Sequence, residues 1–250
     1  MAQFAELVVH LAGRRIASLH RFTLLGWTWP LVRQLAQLGV LVLVFSAVLD
    51  LGIENYAVFV FVGLIAWTWF AVGVAGATDS LAGSRHLVLQ ARFPDVVLPV
   101  VAVAVPFVDV LLALPVLLVM LGIAGELHAT IVLLPLLLTV QLVLMCGLGW
   151  LAGAAAVYLR DVSNIVTVGL TLLFYLTPVF YDVSRVPERY EPILRLNPMT
   201  TLVEAYRAVV LDSAFPSVGA LAGVAAASVL IAVAGALVFR RLQPGFVDEL

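Results

Sequence analysis

Residues 158–211 read YLRDVSNIVTVGLTLLFYLTPVFYDVSRVPERYEPILRLNPMTTLVEAYRAVVL, and the reading of this stretch decides the fold. An apolar run from Ile165 halts at Thr177-Pro178, because proline lacks a backbone N–H and turns the residue before it away from helix. Charged sequence marked by Pro187 and Pro192 follows. Asn197-Pro198 then opens a second helical run, since Asn is a favoured N-cap and Pro suits the first helical position. Non-helical backbone at membrane depth is tolerated only where protein or water covers it. The expected arrangement is therefore a membrane helix that breaks near one face and continues as a re-entrant or interfacial hairpin over 182–212. On the hairpin's second helix Glu204 and Arg207 lie three apart, share a face and are expected to pair. Upstream, Tyr158-Leu-Arg-Asp161 is a polar knot between two apolar runs.

Composition supports the membrane reading. Of 250 residues, 64% are hydrophobic and 11% charged, whereas soluble domains carry about a quarter charged residues. The apolar runs predict six spans: 35–49, extended back toward Trp27 and Trp29, then 56–78, 96–121, 131–157, 165–176 and 215–239. The fold class is an all-α integral membrane protein with one membrane domain over 1–250. Gly147, Gly149 and Gly153 in the fourth span permit close helix approach. All 13 basic residues are arginine, and the net charge is −2, so a nucleic-acid partner is not indicated. The lone Cys146 excludes an intramolecular disulfide. His10, His20, His86 and His128 do not approach metal-ligand spacing with one another, so neither a metal site nor a resident cofactor is proposed. No phosphate-binding G-x-x-x-x-G-K-[ST] exists in a chain without lysine, nor H-E-x-x-H or G-x-S-x-G. If ATP drives this protein, another subunit hydrolyses it.

Outside the spans, residues 1–33 place Phe4, Leu7, Val8 and Leu11 on one helical face, opposite Gln3, Glu6, His10 and Arg14. Such a helix lies on the inner leaflet or packs on a partner, and the two are compatible. Residues 79–95 set Leu81, Leu87, Val88 and Leu89 among Arg85, His86 and Arg92. This spacing suggests a short amphipathic helix stopped by Pro94, either docking in a partner's groove or forming a solvated turn. Asp109 falls about midway along the third span, flanked by Pro99, Pro106 and Pro115. It reads as a proton relay or as an acid hydrogen-bonded to a neighbouring helix, with no second intramembrane ionisable group evident. Trp67, Trp69, Phe70, Phe174, Tyr175, Phe180 and Tyr181 suit an interface belt, helix packing or a surface for sugar rings. Arginine distribution orients the chain. Arg14, Arg15, Arg21, Arg33, Arg85, Arg92, Arg160, Arg240 and Arg241 fall inside when both termini are cytoplasmic. The outer Arg185, Arg189, Arg195 and Arg207 are matched by Asp182, Glu188, Glu191, Glu204 and Asp212.

Several of these residues also carry a resemblance. Arg21 to Trp27 through Pro30, Tyr56 to Trp67 with Phe59 and Gly63, and Leu87 to Pro94 with Leu98-Pro99 match a family pattern. So does the ordered set Arg160-Asp161, Thr177-Pro178-Val179, Tyr181, Pro187, Asn197-Pro198 and Glu204-Ala-Tyr-Arg207. In these the chain resembles the membrane (permease) subunit of ABC exporters for O-antigen, teichoic acid and related lipid-linked polysaccharides. It departs at Gln90 and Asp95, where basic residues are common. The resemblance implies a multi-pass homodimer in the cytoplasmic membrane, joined by two ATPase subunits that hold ATP and Mg, with no catalytic residue on this chain. The substrate implied is a polyprenyl-diphosphate-linked glycan. Coupling to the ATPase is then expected at Arg85, Leu87, Val88, Leu89, Arg92, Phe93 and Pro94. The seven aromatics named above would line the channel, and Arg21 and Arg33 would receive the diphosphate. Asn197, Pro198, Glu204 and Arg207 would build the external hairpin. The Lys-free usage, as a GC-rich genome produces, tilts the glycan toward a cell-wall galactan. The alternatives are an exporter of another lipid or drug, an intramembrane enzyme using Asp109, Asp182 or Glu204, and a proton-coupled transporter resting on Asp109. The acids are scattered over both faces and the middle, which speaks against the enzyme.

Overall fold

A computed structural model describes residues 2–19, 26–48, 52–90 and 93–249; Arg21 and Arg92 lie outside them. The described residues form helices and turns, with no strand among them. In chain order the helices are α1 (Ala2–Leu19), α2 (Trp29–Val42, continued by wide π turns over Leu43–Val48), α3 (Tyr56–Thr78), α4 (Ser80–Gly83), α5 (Arg85–Val88), α6 (Val97–Ala104) and α7 (Phe107–Ala124). They continue as α8 (Leu134–Tyr158), α9 (Asp161–Leu176), α10 (Glu191–Arg195), α11 (Pro198–Val210), α12 (Val218–Leu242) and α13 (Phe246–Glu249).

Among the described residues, five stretches are long and apolar enough to cross a bilayer: Trp29–Ser46, Tyr56–Thr78, Val97–Ala124, Ala129–Tyr158 and Val218–Glu249. The expected fifth span, α9, has 16 residues. At 1.5 Å per residue it reaches about 24 Å, short of a ~30 Å hydrocarbon core. The third span, expected at 96–121, is one apolar stretch whose helix is interrupted between α6 and α7 at Val105-Pro106, where the proline ring excludes an uninterrupted ladder. One expectation is corrected: 79–95 is not one amphipathic helix, since α4 and α5 are single turns separated at Ser84.

Helix α3 is apolar on all sides and is accordingly buried along most of its length. Against it lies α8, whose glycines serve two different neighbours. A Cβ at Gly149 would sit 2.7 Å from Ala77 Cβ, and one at Gly153 would sit 2.9 Å from the Ala77 carbonyl of α3. Gly147 turns the other way, where a Cβ would sit 2.6 Å from Ala232 N of α12 and Gly235 faces the Gly147 carbonyl. Lipid supplies no hydrophobic drive between helices, so close approach and interhelical hydrogen bonds take its place. Gln141 Nε2 donates to Ala66 O at 2.8 Å, Trp69 Nε1 to Val103 O at 3.1 Å and Trp150 Nε1 to Val96 O at 3.0 Å. Leu7, Val8, Leu11 and Ala12 of α1 pack on Val97 and Val101, so the amphipathic helix rests on this chain's own α6.

The bundle has two distinct ends. One carries α4, α5, the α8–α9 turn and α13; the other carries the α2–α3 and α7–α8 connections with α10 and α11. At the first, Ser163 Oγ donates to Asp79 Oδ1 at 2.6 Å and ties the start of α9 to the α3–α4 turn.

The α8–α12 crossing makes a prediction. Gly147→Ala forces backbone apart and is expected to cost about 1–3 kcal/mol by overpacking, lowering the thermal midpoint in detergent by several degrees. Gly169→Ala, which adds a methyl into open space, is the control. Equal midpoints for the two variants would refute this close crossing.

Candidate functional site

At the hairpin end α9 stops with Thr177 in extended backbone, its N–H and its hydroxyl both returning to the Leu173 carbonyl at 2.8 and 2.7 Å. Beyond Pro178 the chain leaves carbonyls that no helical ladder takes up. Side chains of other helices meet three of them. Arg207 Nη2 donates to Val179 O at 2.7 Å, Tyr56 donates its hydroxyl to Phe180 O at 2.7 Å, and Arg207 Nη1 reaches Tyr181 O at 3.5 Å. The same guanidinium donates from Nε to Phe59 O at 3.3 Å and lies over the Phe59 ring, 3.4 Å from its centroid. Gly63 makes room, because a Cβ there would stand 2.9 Å from Val179 O and 3.1 Å from Arg207 Nη2. On the hairpin side Asn197 caps α11, accepting from Met199 N at 3.0 Å and donating to Thr177 Oγ1 at 2.8 Å. One asparagine thus joins the start of α11 to the break in α9.

Arg207 is only 6% exposed. Burial pushes its guanidinium down to about 9, against the pull of Asp182 and Glu204, so it remains charged at neutral pH. The expected Glu204–Arg207 pair does not form. Glu204 meets Arg195 at 3.7 Å, and Arg195 holds Glu191 at 2.6 Å. Arg207 is directed instead at the carbonyls of Val179 and Tyr181 beyond the break and of Phe59 on α3, acceptors that need a donor and that a charge-assisted one satisfies best.

Around this arginine lies a cavity of about 520 Å³, lined by Glu54, Glu126, Asp182, Glu204 and Asp212 together with Asn55 and Phe59. Acids far apart in the sequence therefore share one space at this end, while Asp109 lines a different cavity. Burial raises Glu204 above its ordinary value despite Arg195, and burial together with Asp182 raises Asp212. At Asp182 burial is outweighed by hydrogen bonds from Ser184 and by the Arg207 and Arg185 charges, which hold it below the usual carboxylate range. Among the described residues, no three His, Cys, Asp or Glu side chains are placed to hold a metal ion.

The aromatic set divides. Trp67, Phe174, Tyr175, Phe180 and Tyr181 form one connected cluster, with Trp67–Phe174 centroids 5.8 Å apart, Phe174–Phe180 5.7 Å and Phe180–Tyr181 5.3 Å. Phe45, which the sequence did not single out, joins it by stacking on Phe180 at 5.1 Å; its only signal was an aromatic near the C-terminal end of the first span. Phe70 touches the cluster through Trp67 but is buried. Trp69 stands apart from the cluster, its ring packed on Phe107 and its N–H held by Val103. Trp67 is also buried within the protomer, whereas Tyr175 is 62% exposed. Tyr181 turns its hydroxyl onto the last carbonyls of α9, at Tyr175 and Leu176.

At the opposite end the residues expected to couple to an ATPase face two ways. Val88 is buried and Leu87 and Phe93 are half-buried, all packed with Leu81 and Leu98 into a core beneath the segment. Arg85, His86, Leu89 and Gln90 are exposed and form the outer face, with Pro94 exposed beside it. The Leu-rich face is therefore mostly an anchor, because a one-turn helix has no stability of its own and must bury side chains to hold its place. Arg33 is exposed on α2. A cavity of about 230 Å³ brings Asp109 together with Arg15, Ile16, Pro30, Val72 and Gly76. Neither Asp109 nor Arg15 is without a polar or electrostatic partner. Arg15 of α1 thus lines the same cavity as Asp109.

Comparison with known proteins completes the site. The family model for the ABC-2 type transporter matches residues 6–211. The O-antigen export system permease protein RfbA of Myxococcus xanthus is 32% identical over 252 residues, covering 99% of this chain and 96% of that protein. A protein of the same name from Klebsiella pneumoniae is 24% identical, covering 98% and 95%.

The Arg207 anchor generates the prediction here. Arg207→Ala leaves buried carbonyls at Val179 and Tyr181 without donors, at about 1–3 kcal/mol each, and should lower the unfolding midpoint strongly. Arg207→Lys should recover little, because one ammonium does not span three carbonyls. A lysine variant as stable as the parent would sink the anchor.

Proposed function

The chain belongs to the ABC-2 type transporter family, and on that premise we propose that it is the membrane-spanning subunit of an ATP-driven exporter of a lipid-linked polysaccharide. Its cargo is a polyprenyl-diphosphate-linked glycan of the O-antigen, teichoic acid or cell-wall galactan kind. The observation that carries this reading is that likeness to O-antigen permeases runs through the whole chain, including the 79–95 segment and the 182–212 hairpin at opposite ends. Both termini and the coupling segment face the cytoplasm on the arginine distribution. There Arg85, His86, Leu89 and Gln90 meet one of two ATPase subunits, which bind ATP and Mg. The hairpin faces outward as a re-entrant element, and α9 makes the sixth crossing together with it.

A single protomer encloses little space for a sugar chain. Two copies of this chain would frame the channel, with the Tyr175–Phe180–Tyr181 end of the aromatic cluster toward it, so that sugar faces slide past rings without a fixed register. Arg33 and Arg21 at the inner mouth would receive the diphosphate. The intramembrane-enzyme reading gains one observation, the five carboxylates around the 520 Å³ cavity; such an enzyme would work without an ATPase.

The deciding experiment is co-purification with the ATPase encoded beside this chain. A stable two-plus-two complex is expected, whose ATP turnover falls about 10-fold or more when Arg85→Glu and Leu89→Asp are combined. A chain that purifies alone and alters a polyprenyl-linked substrate unaided would establish the enzyme instead. For the channel, Tyr175→Ala should slow export while leaving the complex and its thermal midpoint intact, because Tyr175 is exposed in the protomer. Unchanged export would remove the aromatic lining.

A further inference from the structure

After α12 the chain does not run free. Gln243–Gly245 turns it back, and α13 follows. Four residues do not sustain a helix alone, so what holds α13 is the burial of Phe246. Its ring is completely covered, edge-on to Phe239 at 5.2 Å and 6.2 Å from Tyr158. Tyr158 donates its hydroxyl to Leu242 O at 2.8 Å and closes over Gly245 so tightly that a Cβ there would meet the hydroxyl. Gln243 Nε2 donates to Asp95 Oδ2 at 3.2 Å, while Asp95 Oδ1 is buried without a hydrogen-bond partner in the described structure. The core that receives Phe246 contains Leu81 and Val88, the inward residues of α4 and α5, with Leu87 and Phe93 at its edge. The segment after α12 and the segment proposed to face the ATPase therefore share one core.

We propose that residues Gln243–Glu249 act as a coupling clamp: Phe246 and the Gln243–Asp95 hydrogen bond hold the 79–95 segment against α8 and α12, so that displacement at Arg85, His86 and Leu89 reaches the bundle. Phe246, Gln243 and Asp95 are positioning residues and do not touch the substrate. The clamp also gives the buried Asp95 carboxylate a role, because it lies beneath the segment and receives Gln243. A loosely held pair of helical turns would absorb the ATPase's stroke by bending. A clamped pair transmits it.

The inference rests on the exporter reading, and its test keeps the two apart. In the single subunit in lipid nanodiscs, hydrogen exchange is followed at the amides of residues 80–90. Phe246→Ala should speed exchange there about 10-fold or more, and Phe246→Leu should restore most of the protection. In the assembled complex, with a polyprenyl-diphosphate-linked O-antigen as probe, Phe246→Ala should keep ATP turnover while glycan exported per ATP falls about fivefold or more. Unchanged exchange, an unchanged export-to-ATP ratio, or export and ATP turnover falling in equal proportion would each overturn the clamp. Where Phe246→Ala does not assemble, Gln243→Ala decides by the same ratio. A parent complex that hydrolyses ATP without moving the probe would count against the exporter reading, and the exchange measurement would still decide the clamp.

Discussion

A broken helix in a membrane protein exposes carbonyls that neither lipid nor its own ladder can satisfy, and Arg207 resolves that constraint. Its guanidinium donates to Val179 and Phe59 and reaches Tyr181, while Tyr56 covers Phe180. An uncompensated carbonyl in this setting costs several kcal/mol. Every neighbouring choice then follows from the need to bring one fork-shaped donor to that place. Gly63 leaves space on α3, Phe59 offers its ring face to the cation, and Asn197 fixes where α11 begins, so that Arg207 arrives at the right height. Because the arginine is held from inside the bundle, the acids around it are left to line the cavity at the hairpin end.

The two ends of the bundle solve the same problem by different chemistry. At the hairpin end irregular backbone is held by directional hydrogen bonds, which suit groups that must be satisfied one by one. At the 79–95 end, two single helical turns are held mainly by a shared apolar core of Leu81, Val88, Phe239 and Phe246, which is non-directional and responds to shape. Between them α8 is the common member, with one glycine face against α3 and another against α12. Close contact on both sides ties α8 to α3 and to α12 at once, the rigidity on which the proposed clamp would draw.

Much of this was legible in the residues. Tyr56–Thr78 was read with the bounds that α3 has, and Asn197-Pro198 announced the cap of α11, because hydropathy and capping are local properties. Other features were not. Glu204 and Arg207 are correctly spaced for a pair, yet helical spacing does not say what a third helix offers, and α3 and the α9 break offered carbonyls. Val88 and Leu89 are adjacent and equally apolar, and only packing shows that one anchors and the other faces out. Trp67 and Trp69, two residues apart on one helix, point to the aromatic cluster and to α6 respectively.

By itself, then, the sequence determined an all-helical membrane chain, the position of its break and the family to which it belongs, since these depend on composition, on proline and on motif order along one strand of residues. The tertiary structure alone decided the partners of Arg207, the gathering of Glu54, Glu126, Asp182, Glu204 and Asp212 into one cavity, and the return of Phe246 to the core under Val88. Each of these joins residues from separate helices, and contact across such distances is set by how the helices pack in three dimensions, which no local pattern encodes.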